Sequence, residues 1–273
     1  MAAPGVNSLV FNNLCIRAAS VMILAPTILF ITWMGGGVFF LTLVAVSILL
    51  VFEWDKLSGA SDTVLKNIGF AILVGGALAV AWWYGYFEAF VVLVAAVTVA
   101  TVLARHQGRN IFLAACGPVY IILPILSLMW LRQHPEVGFG SVVWLFLVVW
   151  ANDVSAYLIG GVLGGAKLAP NISPGKTWAG SVGGVICAGL VGGVASEYFL
   201  CTKIVDTVTL VILLGAFIGI IAQIGDVGES WLKRRSRIKD SGQLIPGHGG
   251  LFDRIDGLII SAPILAFLVW LAE

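Results

Sequence analysis

Long apolar runs constrain this chain more than any other feature of its sequence. Nine stretches are each close to the ~20 residues that cross the hydrocarbon core of a bilayer as a helix. They are 18–34, 36–53, 68–85, 87–104, 111–131, 139–160, 178–200, 208–226 and 250–272. Charged residues make up only 11% of the 273 residues, against about 25% in ordinary soluble domains. We therefore expect an all-α integral membrane protein with nine transmembrane helices.

The positive charges between the runs predict how the chain is oriented in the membrane. With the N-terminus in the cytoplasm, twelve Lys and Arg residues fall on the cytoplasmic side and only Arg132 and Lys203 on the other. The twelve are Arg17, Lys56, Lys66, Arg105, Arg109, Lys167, Lys176, Lys233, Arg234, Arg235, Arg237 and Lys239. Cytoplasmic loops of membrane proteins carry such an excess. We therefore predict that the C-terminus lies outside and that two polar loops, 161–177 and 227–249, are cytoplasmic.

Acidic residues divide the chain into two unequal regions. The N-terminal transmembrane helices, residues 1–138, show no evident chemistry, whereas residues 139–273 place aspartates within or beside apolar runs. These are Asp153, Asp226, Asp253 and Asp256. An aspartate in hydrocarbon costs about 2.5–3.5 kcal/mol on insertion scales, so such groups line wet cavities or meet cations. We predict that 139–273 is the catalytic region. The pair Asn152-Asp153 has two interpretations, a polar part of the site or an ion pair that locks two helices.

The polar loop Asn171-Ile-Ser-Pro-Gly-Lys-Thr177 nearly fits the phosphate-binding loop of nucleoside triphosphatases. The first glycine of that motif would fall at position 170, which is Pro170, and no strand is predicted before it, so we exclude this class. Ser173, Lys176 and Thr177 nevertheless stand at the start of an apolar run. A helix N-terminus with a lysine and hydroxyl groups can bind an anion. The alternative is a capped helix whose lysine only extends to the membrane surface.

The end of the eighth apolar run predicts a polar helical face. Asp226, Glu229, Ser230 and Lys233 are spaced i, i+3, i+4 and i+7. Residues at this spacing share one side of a helix. All four side chains therefore face the same way if the helix continues beyond its apolar part.

A cationic and glycine-rich stretch follows that face. Five Lys and Arg residues fall between positions 233 and 239, and Asp240 comes directly after them. Glycines at the density of Pro246-Gly-His-Gly-Gly250 let backbone N–H groups approach an anion closely. Asp253, Arg254 and Asp256 then open the last apolar run, with the two carboxylates one helical turn apart. Hard oxygen ligands suit Mg²⁺ and the cations suit phosphates, so we predict a magnesium and phosphate site here.

Together these residues resemble the signature of an enzyme family, the phosphatidate cytidylyltransferases or CDP-diacylglycerol synthases. The matching residues lie at fixed spacing between positions 230 and 256. They are Ser230, Leu232, Lys233, Arg234, Lys239, Asp240, Gly242, Leu244 to Pro246, His248, Gly249, Gly250, Asp253, Arg254 and Asp256. Asn152-Asp153 with Tyr157, and Ser173-Pro174 with Lys176-Thr177, resemble two further motifs of that family.

The resemblance implies a reaction, a cofactor and partners. The family joins CTP and phosphatidic acid to give CDP-diacylglycerol and pyrophosphate. The implied cofactor is Mg²⁺, with room for a second cation in the same site. The resemblance also implies a homodimer in the inner membrane of a bacterium. The site would face the cytoplasm, and the acyl chains would enter sideways from the lipid bilayer. No nucleic-acid partner is expected.

The same resemblance implies a role for each polar residue of these motifs. Asp226 and Asp253 are expected to be the metal ligands. The cations expected to share the phosphates of both substrates are Lys176, Lys233, Arg234, Lys239 and Arg254. His248 is expected to donate a hydrogen bond to a phosphate, and Asp240 and Asp256 to orient the cations or a second ion. The expected substrate-binding surface is completed by Ser173, Thr177, Ser230, Asn152 and Asp153.

Four other classes of membrane protein use similar residue types. A CTP-dependent polyprenol or dolichol kinase is the nearest alternative, because it also needs phosphate and metal chemistry beside lipid, but it releases CDP instead of pyrophosphate. A prenyl-phosphate sugar transferase lacks the Lys-Asp and Gly-His-Gly-Gly run. A secondary transporter would show an internal repeat, and a CDP-alcohol phosphotransferase would show its own pattern of spaced aspartates. The sequence shows neither of these two patterns.

Overall fold

The computed structural model describes residues 6–58, 64–199, 207–242 and 249–272, with the backbone alone for 6–19 and 64–66. Within these ranges the chain forms nine helices and one small sheet. The helices are α1 (Val6–Met34), α2 (Gly36–Leu57), α3 (Val64–Trp83), α4 (Tyr86–His106), α5 (Ile111–Gln133), α6 (Gly138–Leu163), α7 (Trp178–Phe199), α8 (Val208–Arg235) and α9 (Phe252–Leu271). Each predicted apolar run coincides with one helix. The largest differences are that α1 begins at Val6 instead of residue 18, and α8 ends at Arg235 instead of residue 226.

The helices have the lengths and the surfaces of membrane-spanning segments. Seven of those in the described ranges are long and apolar enough to cross a bilayer, and shorter apolar stretches, Ser20–Met34 and Asn67–Trp83, lie within α1 and α3. Large apolar side chains point away from the bundle, as Phe87 (78% exposed) and Val162 (84% exposed) illustrate. A contiguous surface of this kind is suited to lipid and not to water. The chain is therefore a helical membrane protein.

A hairpin of two short strands interrupts the helical pattern between α6 and α7. The strands β1 (Lys167–Ala169) and β2 (Ser173–Thr177) are antiparallel, with Lys167 opposite Thr177 and Ala169 opposite Ser173. Two glycines lead into it, Gly164 and Gly165, whose φ angles of 61° and 91° are accessible to glycine without strain. The sequence predicted a polar loop with no strand before position 170, and the second part was wrong because β1 ends at Ala169. Strands of three and five residues are too short to show the alternating pattern that identifies a strand.

Two apolar cores hold the helices together. One lies among α2, α3, α4 and α5 and also takes in Phe252 of α9, while the other lies among α6, α7, α8 and α9. Small residues bring the second group close together, since a Cβ on Gly184 of α7 would lie 2.9 Å from the Asn152 carbonyl oxygen of α6. The Trp144 indole N–H donates to the Gly192 carbonyl oxygen at 2.8 Å and fixes the same pair of helices. This close packing gives the site a rigid frame.

Contacts between helix ends show which loops share a face of the bundle. At one face, the Arg132 guanidinium at the end of α5 donates to the Thr32 carbonyl oxygen at the end of α1, at 2.6 Å. At the opposite face, Arg234 Nε donates to the Ile172 carbonyl oxygen at 3.1 Å, so the hairpin contacts the end of α8. The described parts of the two predicted polar loops, 161–177 and 227–249, therefore lie together on one face, away from Arg132.

Candidate active site

The polar face of α8 is the frame of the site. The helix continues to Arg235 and keeps Asp226, Glu229, Ser230 and Lys233 on one side, as their spacing predicted. Glu229 and Ser230 are buried against the neighbouring helices, whereas Asp226 is partly accessible. The acidic residues of α8 therefore lie on one side of the helix, with Glu229 buried and Asp226 partly accessible.

A cluster of three carboxylates forms where α8 packs against the second turn of α9. One oxygen each from Asp226, Glu229 and Asp256 lies within 4.8 Å of the other two. The helices come this close because position 225 is glycine, where a Cβ would collide with the Asp256 carbonyl oxygen. Three negative charges at this distance in a low-dielectric setting repel one another strongly unless a cation neutralises them.

The cluster has the properties of a cation site. Glu229 is fully buried, yet its Oε1 atom has no hydrogen-bond partner. A buried polar atom without a partner costs free energy, so native structures rarely contain one without a compensating ligand. Hard carboxylate oxygens are the ligands that Mg²⁺ prefers. The donor set therefore fits a divalent cation held by Asp226, Glu229 and Asp256.

Lys176 reaches this cluster from the hairpin. Its ammonium lies 2.6 Å from Oδ2 of Asp226, so it is directed at the carboxylates and not at the membrane surface. The next residue, Thr177, caps α7: its Oγ1 accepts a hydrogen bond from the Gly180 amide at 3.1 Å. Ser173 is half-buried in β2. The helix cap of the alternative interpretation is thus present, but the lysine beside it contacts Asp226.

Lys233 joins two carboxylates from different helices. Its ammonium lies 2.8 Å from Glu229 Oε2 and 2.6 Å from Asp253 Oδ1, and the three side chains are 13%, 0% and 6% exposed. Asp253 Oδ2 also accepts hydrogen bonds from the Ser241 and Gly250 amides at 3.0 and 2.8 Å. Asp253 is thus paired with Lys233, whereas Asp226 lies beside Glu229 and Asp256. That Asp226 and Asp253 hold the metal stays a prediction.

A partly buried network of amide side chains lies one turn of α8 before Asp226. The Asn152 Oδ1 accepts from Gln223 Nε2 at 2.8 Å, and the Asn152 Nδ2 donates to Asp153 Oδ1 at 3.1 Å. Gln223 also donates to the Ser181 carbonyl oxygen at 2.9 Å and accepts from the Ser181 hydroxyl. The network orients Asp153 by way of its neighbour and ties α6, α7 and α8 together. Sequence reasoning missed Gln223, although an uncharged polar residue three positions before Asp226 in an apolar run was the signal.

Exposed charges surround the cluster on the polar face. Arg234, Lys239 and Asp240 are exposed at and after the end of α8, and Arg254 is exposed in the first turn of α9. His248 lies outside the described residues. Arg234 is held on the Ile172 carbonyl oxygen, whereas the exposed side chains of Lys239 and Arg254 can change rotamer toward an anionic ligand.

Two residues of the N-terminal half also reach the site, and sequence reasoning assigned them no role. Glu53 of α2 accepts hydrogen bonds from the segment that leads into α9. Tyr120 of α5 stacks on Phe252, with ring centroids 5.9 Å apart, and its buried hydroxyl has no hydrogen-bond partner. An acid at the end of an apolar run was the only available signal for Glu53. Tyr120 gave none, because an aromatic residue inside an apolar run is ordinary core packing.

Comparison with known proteins gives consistent matches over nearly the whole chain. Residues 15–272 match the profile of the cytidylyltransferase family. A phosphatidate cytidylyltransferase of Brucella abortus is 37% identical over 255 residues, which cover 93% of this chain and 92% of the relative. Proteins of the same name from Rickettsia bellii and Pseudomonas aeruginosa are 34% and 32% identical. The Rickettsia match covers 80% of this chain and 98% of the relative. The Pseudomonas match covers 94% of this chain and 97% of the relative.

Proposed function

Because the chain belongs to the cytidylyltransferase family, we propose that it transfers the cytidylyl group of CTP to phosphatidic acid. The products are CDP-diacylglycerol, a precursor in phospholipid biosynthesis, and pyrophosphate. The observation that carries the proposal is the partly buried cluster of Asp226, Glu229 and Asp256, with Lys176 beside it, at the polar face of a membrane bundle. A lipid phosphate and a nucleotide can meet only where such a face adjoins the bilayer.

The reaction needs no nucleophilic side chain. An oxygen of the lipid phosphate, already an anion near neutral pH, forms a bond to the α-phosphorus of CTP. The bond from that phosphorus to the oxygen bridging the α- and β-phosphates breaks, and pyrophosphate leaves with that electron pair. Both reactants are anions, so the protein has to neutralise charge and align the attacking and leaving oxygens.

The carboxylate cluster supports Mg²⁺ as the cofactor. Asp226, Glu229 and Asp256 would hold the ion, and a bound divalent ion supplies charge neutralisation to the triphosphate. Lys176 lies beside Asp226 and is placed to contact a phosphate oxygen at the same point. Lys233 lies 2.8 Å from the Glu229 carboxylate and offsets part of its negative charge.

The exposed cations support separate binding positions for the nucleotide and the lipid phosphate around the cluster. Arg234, Lys239 and Arg254 lie at the polar face, where the nucleotide and the leaving pyrophosphate are expected. Asp153 and the amide of Asn152 lie on α6, one turn deeper, toward the apolar part of the bundle. We assign the nucleotide to the polar side and the lipid phosphate to the membrane side. The acyl chains then remain in the bilayer.

We also propose the orientation, the location and the assembly. All nine helices span the inner membrane of a bacterium, with the N-terminus and the site in the cytoplasm and the C-terminus outside. The excess of Lys and Arg on the face that carries the site supports this orientation. The resemblance to the family supports a homodimer.

Cysteine labelling tests this orientation. In intact cells, an impermeant maleimide is expected to label Glu136→Cys, on the face of Arg132, and to leave Arg237→Cys unlabelled until the membrane is permeabilised. Both positions are exposed, so a difference in labelling reports the side of the membrane. The parent protein with its native cysteines is the control for background. Labelling of Arg237→Cys in intact cells would reverse the orientation.

The reaction is tested with detergent-purified protein, CTP labelled on the α-phosphate and phosphatidic acid. We expect labelled CDP-diacylglycerol and one pyrophosphate for each lipid product, and neither when diacylglycerol replaces phosphatidic acid. Diacylglycerol is the matched control because it differs only in the phosphate that acts as nucleophile. Release of CDP together with phosphorylation of a lipid alcohol would identify a kinase instead and would refute the proposal.

A further inference from the structure

Glu53 is a buried acid of the N-terminal half whose hydrogen bonds, within the described ranges, go to the segment between α8 and α9 and to the first residue of α9. Its side chain lies in the last turns of α2 and is 6% exposed. Oε1 accepts a hydrogen bond from the Leu251 amide at 2.8 Å. Oε2 accepts from the Phe252 amide at 2.9 Å and from the Ser241 hydroxyl at 2.8 Å.

These contacts satisfy groups that the helix itself cannot satisfy. The first N–H groups of an α-helix have no partner within the helix, and no side chain of the Leu251 N-cap replaces one. The Glu53 carboxylate provides an acceptor for two of them from another helix. Its negative charge also lies at the positive end of the α9 dipole, which stabilises an anion there. A carboxylate buried at this point is therefore stabilised by three donors and by the helix dipole, although no Lys or Arg pairs with it among the described residues.

The same acid is connected to the candidate active site through Ser241. The Ser241 hydroxyl lies 2.8 Å from Glu53 Oε2 and 3.1 Å from Asp253 Oδ2, and the Ser241 amide donates to the same Asp253 oxygen. Asp253 in turn binds Lys233, which binds Glu229 of the carboxylate cluster. A continuous chain of polar contacts therefore runs from α2 to the cluster.

Close backbone approach makes this arrangement specific. A Cβ on Gly250 would lie 2.7 Å from Glu53 Oε2 and would collide with the Ser241 hydroxyl, and a Cβ on Gly242 would lie 2.5 Å from Glu53 Oε1. Phe252, which is fully buried, packs between two aromatic residues of the N-terminal half. Its ring centroid is 6.2 Å from that of Trp54 and 5.9 Å from that of Tyr120. The start of α9 is thus held by both polar and apolar contacts with α2 and α5.

We infer that Glu53 is a positioning residue that fixes the start of α9 and, through Ser241 and Asp253, the carboxylate cluster. The inference rests on the proposed cytidylyl transfer for its kinetic consequence. Its structural consequence, order at the start of α9, does not depend on the reaction. The N-terminal helices accordingly serve as the support against which the catalytic segment is aligned.

Glu53→Gln tests the inference with little change of shape. One carboxylate oxygen becomes an NH₂ group, which has to face a backbone N–H or the Ser241 hydroxyl as a second donor. We expect kcat to fall by roughly ten- to a hundredfold, the effect of misplacing reacting groups by about 1 Å. The KM for CTP should change less than threefold, because Lys176 and Arg234 lie on other elements. Hydrogen exchange of a peptide spanning residues 249–256 should accelerate in the same variant.

Asp55→Asn is the matched control. It makes the same chemical change two residues away on α2, where the carboxylate contacts Asn67 instead of the catalytic segment, so kcat and exchange should match the wild type. A folded Glu53→Gln protein with wild-type kcat and wild-type exchange would overturn the inference. Failure of the wild-type protein to make CDP-diacylglycerol would instead overturn the proposed function.

A measurement on the wild-type protein decides the matter if Glu53→Gln does not fold. First-turn amides of a helix normally exchange fast, because they lack acceptors. The Leu251 and Phe252 amides are expected to exchange slowly, as the Glu53 contacts require. Fast exchange at both amides would show that the contacts do not form, and the inference would fail.

Discussion

Asp226→Asn is expected to lower turnover by roughly a thousandfold or more, equivalent to ~4 kcal/mol of transition-state stabilisation. The substitution keeps the shape of the side chain but removes a charge that lies 2.6 Å from Lys176 and within 4.8 Å of two further carboxylates. Both the cation and the lysine lose a partner. The Mg²⁺ concentration for half-maximal activity should therefore rise, and direct binding of Mn²⁺ to the purified protein should weaken.

The other carboxylates sharpen this test. Asp256→Asn and Glu229→Gln should each behave like Asp226→Asn, and the double variant Asp226→Asn/Asp256→Asn should be little worse than either single variant. Such non-additivity is expected of groups that bind one ion.

Asp253→Asn provides the matched comparison. It should lower activity without changing the Mg²⁺ requirement, because Asp253 binds Lys233, Ser241 and Gly250. A shifted requirement in Asp253→Asn would support the metal role that the family resemblance implies for it. Unchanged Mg²⁺ dependence and Mn²⁺ binding in folded Asp226→Asn protein would refute the cluster as a metal site.

The polar face of α8 could be predicted from sequence because it depends only on helical spacing. Asp226, Glu229, Ser230 and Lys233 are placed by the backbone of a single helix, so their positions follow once the helix is known to continue. The shared face of the two polar loops could be predicted from the number of apolar runs between them. Both predictions needed only local periodicity.

The choice between Asp253 and Asp256 could not be predicted in the same way. Both open α9 and both are acidic, but Asp253 contacts Lys233, whereas Asp256 lies beside Asp226 and Glu229. Which carboxylate meets which partner depends on packing between residues far apart in sequence. The role of Glu53 was hidden for the same reason, since its partners Ser241 and Phe252 lie 188 and 199 positions away.

Lys233→Met is expected to destabilise the folded protein by about 3–5 kcal/mol, the usual cost of removing one partner from a buried ion pair. Methionine matches the lysine in length and keeps its apolar contacts. The carboxylates of Glu229 and Asp253, which are 0% and 6% exposed, would be left without their shared cation. The free energy of unfolding can be followed by denaturant titration in mixed micelles.

Lys239→Met is the control for that experiment, and a second substitution separates charge from packing. Lys239 is exposed in the segment after α8, so its replacement should change stability by no more than ~0.5 kcal/mol.

In the double variant Lys233→Met/Asp253→Asn, one of the two carboxylate charges left without a cation is also removed. The double variant should therefore regain part of the lost stability while remaining inactive, because Glu229 still lacks its cation. If Lys233→Met were as stable as the wild type, the lysine would not be neutralising buried carboxylates. The link from Asp253 to the cluster, on which the alignment of α8 and α9 depends, would then be absent.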